Sequence, residues 1–242
     1  MGTRVLATLR ERILASTLVC LMPCSARTAV IAGAVAKYVG WEAAVLIYLL
    51  VAGLGFGAGA WLNRVIPGRS TGLVMEMFPF RAPSVRTMLK QTWYRFKGFV
   101  WVATPVVLAG SFVLGVIYET GLVWAFTAPL RPIVEGWLGL PGVAGLTLIF
   151  AVLRKELALQ LLLTLAIAQH GAGASDLGQF MDRGQIFTYA LVNTLYIPCI
   201  ATVAVLAREL GWRRALLISG FTIALALLVG GIAHRLIALL AR

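Results

Sequence analysis

Four stretches of the chain, 42–63, 98–117, 186–207 and 215–236, stay apolar for roughly twenty residues each, enough for a helix to cross a hydrocarbon layer of about 30 Å. Two shorter apolar stretches, 13–22 and 28–38, flank the sequence PCSAR. Neither spans alone, so together they predict one broken helix or a re-entrant hairpin. The run LPGVAGLTLIFAVLRKELALQLLLTLAIAQ, at 140–169, carries Arg154, Lys155 and Glu156 at its centre and predicts either a charged span or a re-entrant hairpin. Residues 66–83, with Pro67, Pro79 and Pro83, read as a loop. Ser84 then caps a helix in which Val85, Met88, Leu89, Trp93 and Phe96 recur at helical spacing. Arg86, Lys90, Arg95 and Lys97 fall largely elsewhere around it, the pattern of a basic amphipathic helix at the membrane interface feeding 98–117. An exposed helical arm is the plainer reading. Residues 118–139 read as an irregular or interfacial connection, and Gly171–Gln185 as a polar, glycine-rich loop.

Composition agrees with this pattern. The 242 residues are 60% hydrophobic and 12% charged, against about 25% charged in an average soluble domain. The fold class is all-α: a polytopic transmembrane protein with broken or re-entrant helices. The net charge of +12 is concentrated, with Arg64, Arg69, Arg81, Arg86, Lys90, Arg95 and Lys97 between the apolar stretches 42–63 and 98–117. Basic residues crowded into a short loop place 64–97 on the cytoplasmic side, facing anionic lipid headgroups rather than nucleic acid. The expected location is an inner (cytoplasmic) membrane of prokaryotic type. Cys20, Cys24 and Cys199 all lie in apolar runs, which excludes a secreted disulfide framework. The N-terminal segment has a basic start and an apolar core, yet no hydrophilic region follows, so it reads as membrane domain rather than signal peptide. No Ser-His-Asp, H-E-x-x-H or C-x-x-C arrangement supports an enzyme.

The PCSAR break has an echo. MPCSART at 22–28 matches IPCIATV at 197–203 through Pro, Cys and Ala, and the pair Gly40-Trp41 recurs as Gly211-Trp212. The spacing from proline to Gly-Trp differs by four residues, about one helical turn. Pro23 and Pro198 each free a backbone carbonyl within the bilayer, which is tolerated only where protein or a polar cavity satisfies it. Paired broken helices at mid-membrane depth are the architecture of secondary-transporter sites. Arg4, Arg10 and Arg12 precede the first break, whereas Arg208, Arg213 and Arg214 follow the second, which points to an inverted repeat. Both clusters share a side if 141–170 is a hairpin, the arrangement we expect.

Several motifs are similar to those of the FeoB-type ferrous iron transporters, in order and over nearly the whole chain. RERILASTLVCLMPCSARTAV resembles the family's R-D-R-L…L-M-S-C-S-A-R-L-P-V, and EMFPFRAPSVRTML its E-x-P-x-Y-R-x-P-S loop. QTWYRFKGF resembles W-x-R-x-K-x-F, LRKELALQLL the A-K-E motif, and LYIPCIATVAVLARELGWRRAL the C-terminal L-Y-x-P-C-x-A-T…R-E-x-G-W-x-x-A. Pro23 stands where the family has Ser, and Thr28-Ala29 where it has Leu-Pro. The family normally carries a GTPase domain, whereas no G-x-x-x-x-G-K-[ST] loop occurs here. The resemblance therefore implies the C-terminal half of a split ferrous iron permease. Its organisation would be a broken helix and span over 1–66, a cytoplasmic loop and interfacial helix over 67–97, and a gate-type membrane domain over 98–242. GTP would enter only through a partner chain bearing the GTPase and a first gate repeat. The alternatives are a gate-fold transporter of another solute, such as a nucleoside, and a membrane assembly or signalling subunit; a homo-oligomer is compatible with each.

On this reading Cys24 and Cys199 are the metal-facing groups, because ferrous iron accepts thiolate and carbonyl ligands and a transport site must hold its ion loosely. The competing assignment is that each is a small buried residue easing helix packing. Glu156 is the one acidic residue of 141–170; it would neutralise the ion or position a thiol, or else belong, with Arg154 and Lys155, to a charge cluster at a hairpin tip in the interface. Arg27 is expected to clamp freed carbonyls or pair with Glu156. Tyr196, Asn193 and Thr202 line the path or bond between helices. His170 and His234 are expected at the interface, and Asp176 and Asp182 in solvent. No permanently bound cofactor is expected; the ferrous ion is cargo.

Overall fold

The computed structural model describes residues 6, 8–67, 84–119, 131–152, 155–170 and 177–240, and the described residues are helical throughout, with no strand among them. Helix α1, Leu9–Leu21, opens on a reciprocal cap: Glu11 N donates to Thr8 Oγ1 at 3.3 Å and Thr8 N to Glu11 Oε2 at 3.5 Å. It stops where Met22 turns extended ahead of Pro23. Helix resumes as α2, Ser25–Val30, and widens into a π-helix at Ile31–Ala36. PCSAR is thus a break within one crossing element, not the tip of a hairpin. The first copy's extra residues fall in this stretch, where wide π turns take up added length.

Helix α3, Trp41–Val65, returns antiparallel to α1. Arg10 ties the two ends together, donating to Asn63 O at 2.8 Å, Asn63 Oδ1 at 2.7 Å and Ile66 O at 2.9 Å. In the second copy α8, Arg183–Leu195, breaks at Tyr196–Cys199, continues as α9, Ile200–Leu210, and returns as α10, Trp212–Leu240. A Cβ on Gly184 would meet Ile237, and one on Gly230 would meet Val192, so α8 and α10 run antiparallel in close contact. Ile13 packs against the cluster of Leu206, Leu210 and Ala215. The start of α1, the end of α3 and the turn between α9 and α10 therefore share one end of the molecule, here the basic end. The first copy departs from that end and returns to it; the second departs from the opposite end. This is an inverted repeat.

The recurring Gly-Trp pair now has a physical reason. Gly40 (φ 133, ψ 157) and Gly211 (φ 89, ψ 154) occupy a backbone region essentially restricted to glycine, and Trp41 and Trp212 open the returning helices. Two helices between the copies, α5 (Gly142–Phe150) and α6 (Lys155–His170), pack on each other as a hairpin. Gln185 Nε2 donates to Gly139 O at 2.9 Å, which fixes the start of the hairpin near Arg183 at the opposite end. Its tip reaches inward to the second break.

Helix α4 runs unbroken from Val85 to Glu119 with Pro105 inside it and packs on α9. Ser84 Oγ accepts from Thr87 N at 3.2 Å, the cap read from sequence. The amphipathic segment and the following span are one helix, exposed along 84–98. Two loop readings are corrected. Residues 132–137 form a π-helical turn docked by Trp137 Nε1 on Leu227 O at 2.8 Å, with Arg235 over the indole at 4.3 Å. The 171–185 loop contains a helical turn, α7 (Leu177–Phe180), and ends earlier, because Asp182 and Gln185 form a capping box that starts α8. Residues 68–83, 120–130 and 171–176, with the loop readings made for them, lie outside the described residues, as do Arg154 and Asp176.

Candidate functional site: two facing helix breaks

The first break releases the carbonyls at the end of α1, and Arg27 folds back to take them. Its Nη1 donates to Cys20 O at 2.7 Å and to Met22 O at 3.0 Å. Its Nη2 reaches across to Tyr196 O, at 3.4 Å, in the second break. The residue is buried, 3% exposed, so these donors replace the water that the bilayer denies. Arg27 thus bonds carbonyls of both copies.

The second break is closed by the hairpin. Lys155 Nζ, also buried, donates to Asn193 O at 2.9 Å and Tyr196 O at 3.3 Å. Ile200 N, in the first turn of α9, donates to Val152 O at 3.0 Å. The tip therefore supplies a donor to the freed carbonyls and an acceptor to the freed amide. For Lys155 this overturns the reading of a charge cluster in the interface: a cation buried in protein finds backbone oxygen there and not in headgroups. Tyr189 anchors the hairpin further out, with its hydroxyl 2.9 Å from Thr147 Oγ1 and donating to Ala158 O at 3.3 Å.

Cys24 and Cys199 hold equivalent places, each the N-cap of the helix resuming after its break. Cys24 is exposed, Cys199 half-buried and Cys20 buried, all as free thiols. Cys24 and Cys199 both lie within electrostatic reach of Arg27 and Lys155. Cys199 Sγ is 3.1 Å from Thr202 Oγ1, which gives Thr202 a local partner. Pro23 and Pro198 sit in the breaks. Tyr196 contributes its carbonyl, a role no residue type announces. Glu156 lies in the first turn of α6, and its side chain is outside the described set, so Arg27 is bonded to carbonyls and no pairing with Glu156 is described. Arg27 Nε and both polar atoms of the Asn193 side chain are buried without a hydrogen-bond partner. Among the described residues no group of three or more His, Cys, Asp or Glu could hold a metal ion. His234 stands against Gly139 near the opposite end.

These features define a polytopic helical membrane protein whose two inverted copies meet at opposed helix breaks; among the described residues four segments, Leu9–Ala36, Trp41–Val65, Arg183–Leu210 and Trp212–Leu239, are long and apolar enough to cross a membrane. A family model described as ferrous iron transport protein B C terminus matches residues 44–95, and one described as Gate: nucleoside recognition matches residues 100–213. Together the two models and the relatives below match this chain to the C-terminal membrane region of FeoB. The Fe(2+) transporter FeoB of Methanocaldococcus jannaschii is 27% identical over 95% of this chain and 38% of its own length. The Fe(2+) transporter FeoB of Escherichia coli K12 is 33% identical over 47% of this chain and 15% of its own length. The chain thus spans well under half of either relative. No solved structure matches.

Proposed function

We propose that this chain is the membrane permease portion for ferrous iron, with the ion passing between the two breaks. The observation that carries this reading is the pairing of the breaks: both N-caps are cysteines, and donors from two elements, Arg27 of α2 and Lys155 of α6, converge on the carbonyls beside them. Thiolate is the metal-binding form of cysteine, so capture by Cys24 and Cys199 releases protons. The two negative sulphurs then offset the ion beside Arg27 and Lys155, which would otherwise repel it. Two thiols and a few carbonyls make a loose set, as release requires. Glu156 is assigned a supporting role in charge balance, and energy coupling is assigned to a GTPase elsewhere, on a partner chain bearing the first gate repeat. The location proposed is an inner membrane with the basic end cytoplasmic.

The test is ferrous uptake into proteoliposomes or an iron-starved host, with the GTPase-bearing partner supplied. Cys24→Ser with Cys199→Ser is expected to abolish uptake while the protein remains folded and inserted. Unchanged uptake removes both thiols from the mechanism. The description of the gate model favours one second reading, a nucleoside solute, and labelled nucleoside offered in the same assay discriminates it: uptake of nucleoside but not of iron decides for that reading.

A further inference from the structure

A groove of about 480 Å³ runs along the outside of the first copy, between α1 and α3. It exists because α3 turns small residues toward α1: Ala52, Gly55, Gly59 and Ala60 recur at helical spacing, while Leu14, Leu18 and Met22 form the facing wall. Gly59 lets Leu18 close the floor, since a Cβ there would stand 3.2 Å from Leu18 Cδ2, whereas a Cβ on Gly55 would meet nothing within 4 Å. The lining is apolar except at one end, where Asn63 lies under Arg10. That end is the basic end, where Arg64 is exposed one residue beyond Asn63. Glu11, the acid nearest in sequence, takes part in the α1 capping box.

We propose that the groove is a binding site for one acyl chain of an anionic phospholipid, its headgroup held at the mouth by Arg10 and Arg64. An apolar groove with a single polar end fits a hydrocarbon tail, and cations confined to that end select a negative head. The inner end of the groove is formed by Leu21 and Met22, and Met22 O is one of the carbonyls that Arg27 clamps. A seated tail therefore packs directly on the first break and limits its movement. This site requires only that the chain be membrane-embedded and is independent of which solute crosses.

The test is native mass spectrometry of the full chain relipidated with phosphatidylglycerol or with phosphatidylcholine of matched tails. The expected result is retention of one phosphatidylglycerol per chain in preference to phosphatidylcholine. Gly55→Phe fills the groove and should abolish retention. Gly53→Phe is the control, because a Cβ there also meets nothing and the residue is not part of the lining. Arg64→Glu leaves the Arg10 bonds in place and should cut the preference for the anionic lipid about fivefold or more, as expected of about 1 kcal/mol per surface cation. Equal retention by Gly55→Phe and the unsubstituted chain overturns the proposal. So does a photo-crosslinker at Phe56, on the groove rim, that captures a polypeptide rather than lipid in native membranes.

Discussion

Arg27 meets three carbonyls from two breaks through one planar fork, a geometry that an ammonium cannot reproduce. Arg27→Gln strands Cys20 O and Met22 O, and leaving buried acceptors unsatisfied costs about 1–3 kcal/mol each. We expect a lowered Tm in detergent and, on the permease reading, loss of uptake. Arg27→Lys should recover part of the stability but not the reach to Tyr196. A variant with unchanged Tm would show that Arg27 does not carry these carbonyls. The sequence made Arg27 conspicuous, because a charge in an apolar run needs partners. It could not name them: backbone oxygens carry no sequence signal, so the acceptor at Tyr196 becomes visible only once α8 is in place. Thr202 shows the same limit on a smaller scale, since its spacing from Cys199 was readable but its contact was not.

At the level of elements, the breaks and the Gly-Trp returns were legible because proline and glycine act on the backbone directly. Gly40→Ala or Gly211→Ala should each cost about 1–3 kcal/mol, since alanine is strained at those angles; a Cβ meets nothing within 4 Å at either position, so the penalty is conformational and not a clash. Thermal unfolding of the two single variants checks this, and a cost confined to one copy would contradict their equivalence. The depth of the hairpin was less legible. A run with charges at its centre reads alike whether it crosses or turns back, and only the bonds from Lys155 and Val152 to the second break decide it. The capping box at Asp182 was readable from its D-x-x-Q spacing and was obscured by the glycines before it. The π-helix at 31–36 has no marker in composition.

For the whole molecule, the inverted copies make a topological prediction. In a background with all three native cysteines replaced, Arg213→Cys at the basic end and Lys37→Cys at the opposite end should react with an impermeant thiol reagent from opposite faces of the membrane, with Arg12→Cys sharing the face of Arg213→Cys. Labelling of Arg12→Cys and Arg213→Cys from different faces would refute the arrangement. The two copies are joined at one atom as well as by packing. A carbonyl oxygen offers two lone pairs, and at Tyr196 both are taken, one by the guanidinium of the first copy and one by the ammonium of the hairpin. While both stay in place, that oxygen has no lone pair left for another donor. On the permease reading, a hydrated ion travelling along the seam would have to evict a cationic side chain to reach that oxygen, so passage would begin with a displacement and not with an opening.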